Sequence, residues 1–411
     1  MEKKVFDLKT ELDKLFLKEN RLEDIKVDIN SVEDSLFLLA TTNAGKKIDL
    51  VFTEKDYFKF GSTVLSPLKN ACAEFSTLIL EDKEFNHFKN KSFFNFSGEM
   101  VIVVGNSELI NITAYYASIQ KKTCYAVLTE PYSEYTLLTY AKVPTENVHI
   151  SIEIAPIKAL IVDLDILRRA SKEAFAESFI VSMSKLISLI DYKFNMLVTD
   201  GSYNQESYIK IKNAISLVAS LYSYKNSNDV LIYAQLVFAS EMRKSNVLKS
   251  SSVDLFAEAI NLFEEEASYG DKILTAMKCI SGVYETFFAN DLFDVLNLPN
   301  YNGDMLKLEK LTGNAYANFR KNLVIPTPSK LKACNTILQK TKDGFLKEIE
   351  SFLSVLHAIE KIYISYFKGT DEKKAISYQT KKEALTLCTY LSKEKTILTH
   401  LRDLGVLSCV D

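Results

Sequence analysis

Ala155-Pro156-Ile157-Lys158-Ala159-Leu160-Ile161-Val162-Asp163-Leu164-Asp165-Ile166-Leu167 is the stretch at which this 411-residue chain changes character. Before it, short apolar runs alternate with polar loops: Leu36–Thr41, Ile48–Thr53, Thr77–Leu80, Met100–Val104 and Cys124–Leu128. Amphipathic stretches such as Val64–Phe75 and Leu109–Gln120 lie between them. Short strands alternating with helices predict a parallel α/β sheet of the Rossmann-like kind. Residues 5–27 have helical spacing and predict an N-terminal amphipathic helix or a pair of turns.

Beyond Asp165 the spacing is three-to-four throughout, with no strand pattern. Helices are expected over Ala170–Leu197, Glu206–Tyr222, Val230–Lys244, Val253–Glu266, Lys272–Phe288, Met305–Lys321, Ser329–Lys340, Gly344–Tyr363 and Thr380–Cys388. Asp200-Gly201-Ser202, Tyr269-Gly270-Asp271 and Pro326-Thr327-Pro328 are the expected breakers, with Thr327 and Ser329 as caps. The organisation predicted is an α/β domain over 1–165 and an all-α domain over 166–411.

Composition narrows the function classes. At 47% hydrophobic and 25% charged residues, the chain can bury a sizeable core. Its net charge of −3 lacks the basic footprint of a nucleic-acid binder. No apolar run reaches a membrane span, and no basic-then-apolar leader opens the chain. Six cysteines (72, 124, 279, 334, 388 and 409) without CxxC spacing read as reduced thiols. A cytoplasmic protein is expected. No GxSxG, HExxH or P-loop spacing occurs.

Met100–Thr113 reads as a buried strand, a turn at Gly105 and a helix start. That geometry aims backbone N–H groups and a positive dipole end at an anion, which suits a dinucleotide pyrophosphate. A strand–helix turn with no ligand is the other reading. The β-carbon of Ser107 and the charge of Glu108 favour it, since both oppose a phosphate.

The opening stretch, followed by Ala176-Glu177-Ser178-Phe179-Ile180-Val181-Ser182-Met183-Ser184-Lys185, resembles the metal-dependent sn-glycerol-1-phosphate dehydrogenases. Their frame reads about P-x-A-x-I-x-D-L-D-x-L, then A-x-G-F-G-D-x-x-x-K, with the last Asp a metal ligand. The resemblance extends over nearly the whole chain, from Lys46–Tyr57 to Ile376-Ser377-Tyr378 and Lys395–Leu407. It implies a dehydroquinate synthase-like fold with metal and NAD(P) as cofactors.

The resemblance also marks departures. Val181 stands at the metal carboxylate. Segments like S-G-S-E-H-x-x-S-H and H-G-E, which supply the two histidine ligands, fall on Ser250–Glu258 and Tyr269–Lys272. They place Asp254, Glu258 and Tyr269 at histidine positions. The four histidines (87, 149, 357 and 400) lie elsewhere. Asp254 and Glu258, four apart, could share a hard cation or form a solvated acidic face with Glu264-Glu265-Glu266. Lys185 matches the family's Lys, with Asp191 or Asp165 expected as its partner.

The phosphate loop, about G-S-G-T-I-N-D-x-x-K in the family, keeps Gly105 but has Ser107, Ile110-Asn111 and Ala114. A further motif, near P-T-A-A-S-x-D-G-Y, falls on Leu128–Thr136, keeping Thr129 with bulky Glu130, Pro131, Tyr132 and Tyr135. Glu134 replaces the Asp.

The expectation is a divergent relative that has lost the metal site and the usual NAD(P) motif, with no catalytic or metal residue assigned. Such a chain would serve as a binding or structural homologue. The alternative is an NAD(P)-dependent oxidoreductase interconverting dihydroxyacetone phosphate and sn-glycerol 1-phosphate at a rebuilt site. Its cofactor residues would be Gly105, Asn106, Ser107 and Thr129. Expected partners are a small phosphorylated or nucleotide ligand between the domains and a second copy or an active paralogue.

Overall fold

The computed structural model describes residues 7, 10–11, 26–28, 31–81, 94–131, 140–145, 148–199, 204–245, 251–264, 267–294, 301–313, 316–321, 323–367, 376–392 and 395–407. The chain forms two compact units. One comprises 1–145, 149–178 and 220–244; the other comprises 146–148, 179–219 and 245–411. The expected helix over 5–27 lies almost wholly outside the described residues, and Lys26–Asp28 form a strand.

The first unit is built on a six-stranded sheet of β1 (Lys26–Asp28), β2 (Ile48–Thr53), β3 (Phe75–Leu80), β4 (Met100–Gly105), β5 (Thr123–Leu128) and β8 (Ala159–Ile161). Its order is β1-β8-β5-β4-β2-β3, and every pairing is parallel. β2 and β4 are buried along their whole length, as their mostly apolar runs require of strands covered on both faces; Asp49 of β2 is buried accepting from Ser76 and Gly98. β6 (Tyr140–Thr145) and β7 (Val148–Glu153) pair separately.

Leu36–Thr41, expected as a strand, is helical. It belongs to α1 (Val32–Thr42), whose N-cap Ser31 accepts from the Asp34 N–H. Val32, Leu36 and Ala40, spaced four apart, are the buried face. In so short an apolar run the cap and this spacing decide against alternation.

α2 (Glu54–Asn70) follows β2, and α3 (Ser107–Ile119) follows β4. β2 leads toward β3 on one side and β4 toward β5 on the other. The carboxyl ends of β2 and β4 therefore flank the topological switch point, where open α/β sheets place ligands. The opening stretch of sequence ends in α4 (Leu164–Leu167), capped by Asp163. Asp163 Oδ1 accepts from the N–H groups of Asp165 (2.8 Å) and Ile166 (3.2 Å). Its Oδ2 accepts from the Val32 N–H at 2.8 Å, so one carboxylate fixes two helix starts.

α5 (Lys172–Val198) and α6 (Gln205–Ser223) each contribute to both units, and α7 (Asn228–Ser245) lies almost wholly in the first. The second unit continues with α8 (Ser252–Asn261), α9 (Tyr269–Ala289), α10 (Tyr301–Thr312), α11 (Tyr316–Arg320), α12 (Pro328–Phe367), α13 (Tyr378–Cys388) and α14 (Ile397–Asp403).

Three expectations are corrected here. Tyr269-Gly270-Asp271 is no breaker; it is the first turn of α9, capped by Ser268. A β-carbon on Gly270 would lie 2.5 Å from the Tyr363 hydroxyl, so the glycine serves close packing. Met305–Lys321 is two helices, because Gly313 takes a φ of +51° that ends the first. Ser329–Lys340 and Gly344–Tyr363 are one 40-residue helix. Gly344 costs about 1 kcal/mol there relative to alanine. The stripe of Leu338, Phe345, Phe352 and Ile359, buried at seven-residue spacing, outweighs it.

Among the described residues no helix is long and apolar enough to cross a membrane.

Candidate functional site

The nucleotide corner of the first unit is assembled from the ends of β2, β4 and β5. Gly105 closes β4, and Asn106 caps α3 by accepting from the Leu109 N–H at 3.0 Å. A β-carbon on Gly105 would lie 2.6 Å from Leu109 Cδ2 and 3.4 Å from Asp56 Oδ2. The glycine is thus demanded by the protein's own packing. Ser107 is buried in the first turn of α3.

Carboxylates surround this corner. Asp56, in the first turn of α2, is buried and accepts from the Thr53 hydroxyl at 2.9 Å. Burial raises its pKa, against the pull of Thr53, Thr129, Lys55 and Lys59. Glu130 is also raised, chiefly by burial; Lys55 at 3.9 Å opposes this and Asp56 adds to it. Burial, then the charges of Glu130 and Glu108, push Glu177 up to about 7. Asp56 and Glu177 were not read as site residues in the sequence, because only the fold brings them to this corner.

Thr129 follows β5, and its N–H donates to the Gly105 carbonyl at 3.1 Å. Its buried hydroxyl makes no hydrogen bond of good geometry among the described residues; Asp56 is its neighbour, and a weak contact between them pulls the Asp56 pKa down. Tyr132–Thr136 lie outside the described residues.

A pyrophosphate is a dianion; among the described residues it would meet Glu108 and the buried acids Asp56, Glu130 and Glu177, with Lys55 and Lys59 the cations coupled to them. The residues do not fit that group.

The metal corner belongs to the second unit. Val181, on α5, is buried and aliphatic. One turn on, Lys185 is fully buried, and its Nζ lies 3.0 Å from each carboxylate oxygen of Asp254. The partner is therefore neither Asp191 nor Asp165. Asp165 meets Arg168 at 2.7 Å, and Asp191 holds helix starts.

Asp254 is the third residue of α8 and completes a capping box with Ser251. Its Oδ2 accepts from the Ser251 hydroxyl (2.9 Å) and N–H (3.3 Å) as well as from Lys185. Asp254 and Glu258 are both buried, so the solvated acidic face is corrected; Glu265 and Glu266 lie outside the described residues.

Of the histidines, His357 is exposed, and buried His400 lies with Nε2 2.8 Å from Asn335 Oδ1. Among the described residues no three His, Cys, Asp or Glu side chains are grouped to hold a metal ion. A catalytic Zn²⁺ or Fe²⁺ needs three donors with an open position. Val181 offers none, and Asp254 is already bound. The residues do not fit the metal.

No protein-family profile matches the sequence, and no curated protein matches it. Solved structures do. The iron-containing alcohol dehydrogenase of Thermotoga maritima superposes with a TM-score of 0.53 at 12% identity, over 93% of this chain and 98% of that one. That of Thermococcus thioreducens gives 0.55 at 11% identity, over 94% and 98%. An archaeal halo-thermophilic alcohol dehydrogenase from a Red Sea brine pool gives 0.52 at 12%, over 94% and 97%. The narrower resemblance to sn-glycerol-1-phosphate dehydrogenases rests on the motifs alone. The parallel sheet followed by a mostly helical region is the fold of the iron-containing alcohol dehydrogenases, of the dehydroquinate synthase-like class.

Proposed function

We propose that this chain is a non-catalytic relative of the dehydrogenases whose fold it shares, acting in the cytoplasm as a binding or structural protein. A second copy or an active paralogue is its expected partner. The observation that supports this reading is the cluster of mutually coupled carboxylates near the ends of β2, β4 and β5. Asp56, Glu108, Glu130 and Glu177 are coupled electrostatically at the corner proposed for a dinucleotide's phosphates, and fold alone does not confer an activity. Fluorescence titration with NADH and NADPH tests it. No saturable signal is expected up to millimolar cofactor, and no oxidation of NADH with dihydroxyacetone phosphate. Saturable micromolar binding of either cofactor would end the proposal.

The buried Thr129 hydroxyl supports a second reading, an oxidoreductase with a rebuilt site, because a polar atom left without a partner suits a ligand. In that case Thr129→Val would weaken cofactor binding by about tenfold, the value of one hydrogen bond.

A further inference from the structure

The metal corner carries an inference independent of the nucleotide corner. The relatives' motifs set a carboxylate at the position of Val181 and a second metal ligand at that of Asp254. Here the turn after Val181 on α5 brings an ammonium to Asp254 instead. Both partners are removed from water, with side-chain exposures of 0% and 5%.

We infer that Lys185 is a built-in substitute for the divalent cation, clamping α5 to the first turn of α8 so that the helical unit is held together without a metal. Three features of the geometry support the substitution. The ammonium addresses both oxygens of Asp254 equally, as a cation seated on a carboxylate does. Ser251 supplies further donors to Oδ2, so a metal would have to displace groups already bonded. Val181, buried one turn before Lys185 and matched by the motif to a ligand position, offers a hydrocarbon in place of a donor, which opposes an open coordination position. A buried ion pair of this kind is fragile in one direction: removing one charge strands the other, whereas removing both charges strands neither, provided Ser251 keeps its acceptor.

The test uses thermal unfolding of the full chain, with and without EDTA and with added Zn²⁺, Fe²⁺ or Mg²⁺, together with metal analysis of the purified protein. The wild type is expected to carry no stoichiometric metal and to keep its Tm within about 1 °C in every condition. Lys185→Met should lower the Tm by roughly 5–15 °C. Lys185→Met combined with Asp254→Asn, which removes both charges and keeps an acceptor for Ser251, should recover most of that loss, still indifferent to EDTA.

A wild-type Tm that falls on chelation, bound stoichiometric metal, or a Lys185→Met protein as stable as the wild type would each overturn the inference. A double variant no better than the single one would do the same. If Lys185→Met does not accumulate, the double variant decides alone: folded supports the clamp, unfolded refutes it. NADH binding would end the proposed function and leave this inference standing.

Discussion

The carboxylate of Asp191 accepts the backbone N–H of Ser252 at 2.8 Å, so one side chain of α5 receives the first residue of α8. The same group accepts the Ile397 N–H (3.1 Å) at the start of α14 and the Tyr284 hydroxyl (2.6 Å) from α9. Each helix start has orphan donors, and a buried anion satisfies two of them here while meeting the positive dipole ends. Asp191→Asn turns part of this acceptor into a donor facing N–H or O–H groups. The expected cost is about 2–4 kcal/mol, read as a lower urea midpoint at unchanged m.

Glu177 makes stability depend on pH in a definite direction. Its pKa in the folded chain is about 7 against an ordinary 4.5, because burial and then Glu130 and Glu108 oppose its charge. A raised carboxylate contributes stability that is present below about pH 4.5 and lost as pH rises through about 7. Glu177→Gln should therefore leave stability unchanged at pH 4.5 and raise it at pH 8. The gain should be about 1–2 kcal/mol, discounted for the group's partial exposure. Urea curves of both proteins at the two pH values check this; an equal gain at both would point to a cause other than ionisation.

His400 works in the opposite sense. Burial, with a smaller contribution from Lys395, pushes its pKa down to about 3 from 6.5. The imidazole is thus neutral in the fold and protonates on unfolding. The stability it supports is full above about pH 6.5 and drains away as pH falls toward 3. At pH 5 the loss is about 2 kcal/mol. His400→Gln keeps an amide N–H for Asn335 but cannot titrate, so its urea midpoint should decline less between pH 7 and pH 5 than that of the wild type. Parallel declines would remove His400 from the account.

The sheet was legible because β2, β4 and β5 are mostly apolar runs, unbroken in β4, and a strand buried on both faces writes itself into consecutive residues. The helical half was legible as a texture but less so in its joints. Gly344 passes unmarked through α12, because nothing lies within 4 Å of the space a side chain would fill. Gly270, read as punctuation, answers instead to Tyr363 across a packed interface.

The site residues were hardest for the same reason. Lys185 has carboxylates near it in sequence, yet it pairs with Asp254, 69 positions away. Asp56 and Glu177 reach their corner through the topology of the sheet. Local patterning records which face a residue shows to the core, and long-range pairing leaves no such trace.

Gly105 separates packing from ligand binding experimentally. A methyl added there would sit 2.6 Å from Cδ2 and 3.2 Å from Cβ of Leu109, a side chain with no exposed surface and so little room to retreat. Gly105→Ala should cost about 1–3 kcal/mol through overpacking alone, with no ligand present. If Leu109 is the obstacle, Gly105→Ala and Leu109→Ala must be non-additive. The double variant should be more stable than the sum of the single losses allows, by about 0.5–3 kcal/mol, since the new methyl then enters the space Leu109 vacates. A four-protein urea cycle measures that coupling. Strict additivity would show that Gly105 is required by something other than Leu109, and would return a ligand's approach to the end of β4 as the better explanation of this glycine.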